Sequence, residues 1–131
     1  MLDSDVCITF QRKGSQALAK RLMELDPGEA VLSIVAYGEL RVGVEKSTVR
    51  DQASRALQLV TGAFPVVLPS ERIADEYAEI RAHLERRGES IGANDTWIAA
   101  HARSEKLTLI TGNEREFRRV PGLAVENWAA A

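Results

Sequence analysis

Short apolar runs alternate with amphipathic helical segments along this chain, and that alternation constrains its fold more than any other feature. Apolar runs predict strands at residues 1–2, 30–35, 64–68, 107–111 and 123–125. Helical spacing of apolar residues predicts helices at residues 15–25, 37–46, 49–60, 70–87 and 97–102. Because strands that alternate with helices form parallel sheets, the pattern indicates an α/β domain with a mainly parallel sheet.

Length and composition are those of an ordinary globular domain. The chain has 131 residues, enough for one domain with one core. Hydrophobic residues make up 45% and charged residues 27%, a balance that excludes a disordered chain. The net charge of −2 lacks the global basic excess of many nucleic-acid-binding proteins, so an RNA partner would depend on local clusters of basic residues.

Cysteine content and hydropathy bear on the compartment. Cys7 is the single cysteine and cannot form an internal disulfide, which favours a reducing environment. No apolar stretch reaches the roughly 18 residues of a membrane span. We therefore expect a cytoplasmic protein with no membrane association.

Acidic residues recur at four points where predicted strands end or predicted helices begin. They are Asp3 with Asp5, Glu39, Asp95, and Glu114 with Glu116 directly after Asn113. In a parallel α/β domain, strand ends and helix starts converge on one crevice. Clustered carboxylates repel one another unless a cation lies between them, and oxygen ligands suit Mg²⁺ or Mn²⁺. The pattern indicates metal-dependent chemistry on phosphate, without a His or Cys cluster.

Each acid also has a structural interpretation. Asp3 can cap a helix, and Asp95 can complement the positive end of a helix dipole. Glu39 lies among apolar neighbours, where an unpaired charge is costly, so an ion pair with Arg41, Lys46 or a basic residue elsewhere in the chain is an alternative to a metal. The order of the acids is more informative than any one of them.

Neutral polar residues beside the acids have local roles as well. Ser33 and Thr111 end predicted strands, and their hydroxyls can either donate to a carboxylate or cap the strand end. Asn94 is a candidate helix N-cap. We interpret His83 and His101 as structural or exposed rather than catalytic.

Several segments, taken in order and spacing, resemble the PIN-domain ribonucleases, and specifically the VapC toxins of bacterial toxin–antitoxin pairs. The segments are residues 1–8, 33–43, 91–95, 111–117, 120–123 and 126–128. The resemblance spans essentially the whole chain. It implies a single PIN-like domain over residues 1–131, folded as a three-layer α/β/α sandwich with a mainly parallel central sheet.

The resemblance also implies a metal site. By position, Asp3, Glu39 and Asp95 match the three principal metal-site acids of the family, which surround one or two Mg²⁺ or Mn²⁺ ions. This chain has Asn113 where many relatives have Asp. Glu116 is the candidate substitute, and we predict it as a fourth catalytic residue.

Two further acids have open roles. Glu114 is the alternative to Glu116 as the fourth acid. Asp5 falls where the family often has Asn, so it adds either a ligand or only a charge. The number of metal ions, one or two, depends on this fourth position.

Family resemblance further implies an activity and partners. A metal-activated water would cleave an RNA phosphodiester bond and leave a 5′-phosphate and a 3′-hydroxyl. The expected substrates are structured tRNA or rRNA loops, including the anticodon stem-loop of initiator tRNA.

The expected partners are a VapB-type antitoxin that occludes the crevice, a second copy of the chain in a homodimer, and operator DNA reached only through the antitoxin.

Basic residues near these motifs are candidate contacts for the RNA backbone. They are Arg12, Lys13, Arg41, Lys46, Arg115, Arg118 and Arg119. For each of them, a solvated surface charge is the alternative interpretation.

Two other functions are compatible with parts of the sequence. A catalytically inactive PIN-like module would only bind an antitoxin or RNA, and the missing acid at Asn113 favours it. Residues 3–6 also fit the opening motif of haloacid dehalogenase-like phosphatases, in which Asp3 would be a nucleophile. That mechanism needs a later Lys, and none follows Thr111.

Overall fold

A computed structural model describes residues 1–129 as an α/β fold. Among these residues, no helix combines the length and the apolarity needed to cross a membrane. The helices are α1 (Ser4–Gln11), α2 (Gln16–Met23), α3 (Ile34–Lys46), α4 (Arg50–Ala63), α5 (Ile73–Arg86), α6 (Ala93–Ser104) and α7 (Glu114–Phe117). The strands are β1 (Leu32–Ser33), β2 (Val66–Val67), β3 (Leu109–Ile110) and β4 (Val125–Glu126).

Leu2 lies at the centre of the sheet and joins its two halves. It makes parallel bridges to Leu32 on one side and to Ile110 on the other. β1 pairs in parallel with β2, and β3 pairs in parallel with β4. The order across the sheet is therefore β2–β1–Leu2–β3–β4, and the predicted parallel α/β architecture is confirmed.

This strand order creates a crevice beside Leu2. The chain leaves Leu2 towards β1 and β2 on one side, and later enters β3 and β4 on the other side. Ligand sites of open parallel sheets lie at such a switch point, outside the carboxyl ends of the strands. Asp3 directly follows Leu2 and Thr111 directly follows β3, so both residues lie at the crevice.

Apolar side chains of the strands and helices form one core. Leu2, Leu32 and Leu109 are buried, as expected for a parallel sheet covered by helices. α5 packs along α6, whose small residues Ala99 and Ala102 are fully buried and permit close approach. This packing holds α6, and with it Asp95, in a set position relative to the sheet.

Several predicted boundaries were wrong. The strand predicted at residues 30–35 ends at Ser33, because the Ser33 hydroxyl accepts a hydrogen bond from the Val35 N–H (3.1 Å) and starts α3. The N-cap predicted at Asn94 is Gly92, since α6 already begins at Ala93. The short helix α7 was not predicted.

Candidate functional site

Asp3 is buried at the crevice and makes two hydrogen bonds through its carboxylate. Oδ1 accepts from the N–H of Ser4 (2.8 Å), which makes Asp3 the N-cap of α1. Oδ2 accepts from the hydroxyl of Thr111 (2.8 Å). The capping interpretation is therefore correct, and the same carboxylate also faces the crevice between Leu2 and β3.

Ser33, the other predicted donor, does not contact these acids. Its hydroxyl caps α3 and lies 3.2 Å from Nδ1 of His101. His101 is fully buried, in agreement with a structural role. Of the two hydroxyls, only that of Thr111 donates to a carboxylate.

Glu39 lies in the second turn of α3 and faces α1. Its Oε1 accepts a hydrogen bond from the hydroxyl of Ser4 (3.1 Å). Arg41 pairs instead with Glu45 (2.8 Å). Among residues 1–129, no ion pair joins Glu39 to Arg41, Lys46 or another basic residue, so the predicted ion-pair alternative was wrong.

Asp95 lies in the first turn of α6 and is half-buried. Burial first, and then the negative charges of Glu39, Glu116 and Asp5 in that order, raise the pKa of its carboxyl to about 6. Such repulsion requires proximity. Asp3, Asp5, Glu39, Asp95 and Glu116 therefore surround a common space.

The pKa of Asp3 shows the same crowding. Burial and the neighbouring charge of Asp5 raise this pKa to about 7, although the hydrogen bonds from Thr111 and Ser4 oppose the rise. Burial, with the charges of Asp3 and Asp5, also raises the pKa of the Cys7 thiol to about 12. Cys7 is therefore a neutral core residue, and the crevice carries a negative potential.

The structure separates the two candidates for the fourth acid. Glu116 accepts a hydrogen bond at Oε2 from the side-chain amide of Asn113 (2.9 Å), and its charge acts on Asp95. Glu114 pairs with Arg118 on the exposed face of α7 (2.9 Å). Glu116 thus lies near Asp95, whereas Glu114 is engaged by Arg118.

Asp5 joins the loop after β3 to α1. Its Oδ2 accepts from the N–H of Gly112 (3.2 Å). A methyl group on Gly112 would lie 3.0 Å from that oxygen. Among the described residues, Oδ1 of Asp5 is buried and has no hydrogen-bond partner. Asp5 therefore presents one carboxylate oxygen that the protein itself does not satisfy.

The donor set fits a hard divalent cation. All donors are oxygens, the carboxylates repel one another, and the unpartnered oxygen of Asp5 would be satisfied by a positive charge. Within residues 1–129, no three His, Cys, Asp or Glu side chains are already arranged as metal ligands.

Two contacts of the site were not foreseen. Ser4 bonds to both Asp3 and Glu39, yet its only signal was its place between two acids. Gly112 approaches Asp5 closely, and a glycine at the end of the strand predicted at residues 107–111 was a signal that the backbone could be approached there.

Comparison with known proteins agrees with this arrangement. The PIN domain family matches residues 1–123. Ribonuclease VapC1 of Haemophilus influenzae (strain R2866) is 36% identical over 129 residues, covering 98% of this chain and 96% of the relative. The tRNA(fMet)-specific endonuclease VapC of Shigella flexneri is 36% identical over 129 residues, covering 98% of this chain and 97% of the relative.

A solved structure has the same fold. The structure of VapBC2 from Rickettsia felis, bound to a DNA fragment from their promoter, matches with a TM-score of 0.91 at 33% identity. The match covers 98% of this chain and 97% of that one. The predicted PIN-like α/β/α sandwich is therefore confirmed. The chain belongs to the PIN-domain family and, within it, to the VapC ribonucleases.

Proposed function

We propose that this chain is the toxin of a type II toxin–antitoxin pair and an endoribonuclease that depends on Mg²⁺ or Mn²⁺. The observation that carries the proposal is the convergence of Asp3, Asp5, Glu39, Asp95 and Glu116 on the crevice beside Leu2. The unit that acts is a single domain spanning residues 1–131. Membership of the VapC ribonucleases supports both the activity and the class of substrate.

Asp3, Glu39 and Asp95 would hold the cation, with Glu116 completing the site. When bound, a divalent cation lowers the pKa of an attacking water and neutralises charge on the phosphodiester oxygens. The hydrogen bond from Thr111 fixes the orientation of the Asp3 carboxylate. Burial also reduces solvent screening around that carboxylate, so its ionised form would attract a cation in the crevice strongly.

RNA is the proposed substrate. The Shigella flexneri relative is a tRNA(fMet)-specific endonuclease, and it covers nearly the whole chain. The anticodon stem-loop of tRNA(fMet) is therefore the first substrate to test. Cleavage by the proposed route leaves a 5′-phosphate and a 3′-hydroxyl.

A VapB-type antitoxin is the proposed partner. The Rickettsia felis structure contains VapBC2 with promoter DNA, and a Salmonella typhimurium VapBC was solved bound to DNA. A basic side chain of the antitoxin would neutralise the acidic crevice of this chain. We propose that DNA contact occurs through the antitoxin, and that the toxin forms a homodimer.

The direct test incubates the purified chain with total tRNA in Mn²⁺, in Mg²⁺ and in EDTA. We expect cleavage that requires a divalent ion and is lost in Asp3→Asn and Asp95→Asn. Metal-independent cleavage, or equal activity in these variants, would contradict the mechanism. If the antitoxin-free chain cleaves no RNA, the inactive binding module is the better description.

The phosphatase alternative is disfavoured by the family match over residues 1–123. In addition, Asp3 is hydrogen-bonded by Thr111 and crowded by other carboxylates, whereas a nucleophilic Asp needs a neighbouring cationic side chain. We expect no hydrolysis of p-nitrophenyl phosphate under conditions in which tRNA is cleaved.

A further inference from the structure

A groove leads away from Glu39 between α1, α3 and α4. It encloses about 250 Å³, and its lining includes Ile8, Arg12, Glu39, Gly43 and Ser47. Glu39 lines the groove and also belongs to the acidic crevice, so the groove adjoins the crevice at this residue. We refer to it as the α1–α3–α4 groove.

The structure divides the basic residues near the site into two groups. Arg41 pairs with Glu45, and Arg118 pairs with Glu114. Arg119 donates to backbone carbonyls before α6. These three side chains already have carboxylate or carbonyl partners, so a ligand would have to replace those contacts.

Four other cations make no ion pair among residues 1–129: Arg12, Lys13, Lys46 and Arg115. Of these, Arg12 lines the α1–α3–α4 groove. Lys13 is the next residue and is also exposed, but it lines a different depression between α1, α2 and α4. Arg12 is thus a cation with no ion pair among the described residues, and it lines the same groove as Glu39.

A polyanionic substrate needs such a cation. The carboxylates of the crevice repel RNA, and attraction must come from basic residues next to them. The volume of the groove is close to the lower limit of small-ligand sites, about 300 Å³, so it suits one nucleotide. Apolar walls such as Ile8 and Leu40 suit a ribose and base, and the guanidinium of Arg12 suits a phosphate.

We propose that the α1–α3–α4 groove binds the nucleotide next to the scissile phosphate, and that Arg12 contacts the phosphate of that nucleotide. This inference rests on the proposed ribonuclease function and adds a substrate path to it. The occupant is RNA, because the groove adjoins the acidic crevice at Glu39 and its lining includes Arg12, a cation with no ion pair among residues 1–129.

Arg12→Gln and Lys13→Gln form a matched pair that tests the phosphate contact. Binding of fluorescent tRNA(fMet) is measured by anisotropy in EDTA, so that no cleavage occurs, over a range of salt concentrations. We expect Arg12→Gln to weaken binding several-fold and to reduce the slope of log K against log salt by about one. Lys13→Gln should keep the wild-type slope. Equal slopes for the two variants would overturn the proposal.

Gly43→Leu and Gly38→Leu test the groove itself. Both glycines lie in α3, and a Cβ added at either meets no atom within 4 Å. Only Gly43 lines the groove. We expect Gly43→Leu to raise KM for tRNA(fMet) several-fold with little change in kcat, because the lost contact is made equally in the ground state and transition state. Gly38→Leu should retain the wild-type KM.

The outcomes separate this inference from the proposed function. If the wild-type chain neither binds nor cleaves RNA in Mn²⁺, the proposed function fails. If it cleaves RNA but Arg12→Gln and Gly43→Leu behave as their controls do, only the groove assignment fails. An antitoxin that is displaced by Gly43→Leu, with KM for RNA unchanged, would assign the groove to the antitoxin and overturn the proposal.

Discussion

At the scale of single residues, Thr111 and Asn113 determine how the acids are presented. The Thr111 hydroxyl donates to Asp3 and accepts from the N–H of Asn113 (2.9 Å). The amide of Asn113 then donates to Glu116. These hydrogen bonds form one chain from Asp3 to Glu116. Asn113 has no carboxylate of its own, but its side-chain amide holds the carboxylate of Glu116 in place.

Glu116→Gln and Glu114→Gln should differ in activity. Glu116 faces the other acids, whereas Glu114 is paired with Arg118 on the surface. We expect kcat on tRNA to fall by about 10- to 100-fold in Glu116→Gln, as for loss of a group that tunes a metal site. Glu114→Gln should stay within about two-fold, since an exposed pair contributes little. A larger loss in Glu114→Gln would reverse the assignment.

The raised pKa values predict how stability depends on pH. The pKa is about 7 for Asp3 and about 6 for Asp95 in the folded chain, against 3.8 ordinarily. As pH rises from 4 to 7, the two carboxyls lose their protons at a lower pH in the unfolded chain than in the folded chain. The contribution of these two groups to the free energy of unfolding should therefore fall as pH rises through this window.

Urea unfolding in EDTA at several pH values measures this dependence. The Asp3→Asn, Asp95→Asn double variant is the control, and its stability should fall less between pH 4 and 7 than that of the wild type. If the two proteins changed in parallel, the raised pKa values would not describe the folded chain.

At the scale of secondary-structure elements, the residues that follow β1 could either extend the strand or begin a helix, and they begin α3. Ile34 and Val35 are β-branched and favour a strand locally. Ser33 nevertheless caps a helix there, and the hydrogen bond to Val35 ends the strand. α7 has only four residues, too few for apolar periodicity to reveal it.

Two glycine substitutions should have opposite effects on stability. In Gly112→Ala, the new methyl would lie 3.0 Å from Oδ2 of Asp5 and would disturb the bond between α1 and the loop after β3. We expect a net loss of stability there. Gly38→Ala lies in open space within α3 and should gain about 0.5–1 kcal/mol from helix propensity. Urea unfolding at pH 7 measures both, and an equal gain in Gly112→Ala would show that Asp5 moves freely.

At the scale of the whole molecule, the strand order brings distant segments together. Asp3 and Thr111 are 108 residues apart in sequence, yet they meet because Leu2 and β3 are neighbours in the sheet. α3 and α6 then bring Glu39 and Asp95 to the same crevice. The assembled carboxylates oppose folding in the absence of a cation.

Binding of a divalent ion should therefore stabilise the whole domain. At a Mn²⁺ concentration about 100 times its Kd, the gain is about 2.7 kcal/mol, or a rise in Tm on the order of 10 °C for a chain of this size. Differential scanning fluorimetry with a Mn²⁺ titration measures it. The Asp3→Asn, Asp95→Asn double variant should show no such rise, and an equal rise in both proteins would place the ion elsewhere.

The sequence by itself determined the class of fold, the approximate positions of the main elements, and the order of Asp3, Glu39 and Asp95. These follow from local periodicity and from the rule that parallel strands end at one edge of a sheet. Only the tertiary structure placed Glu116 near Asp95 and Glu114 beside Arg118, paired Arg41 with Glu45 rather than with Glu39, and put Arg12 and Lys13 in different depressions. The direction of a side chain depends on how each helix is rotated against its neighbours, and no local pattern in the sequence records that rotation.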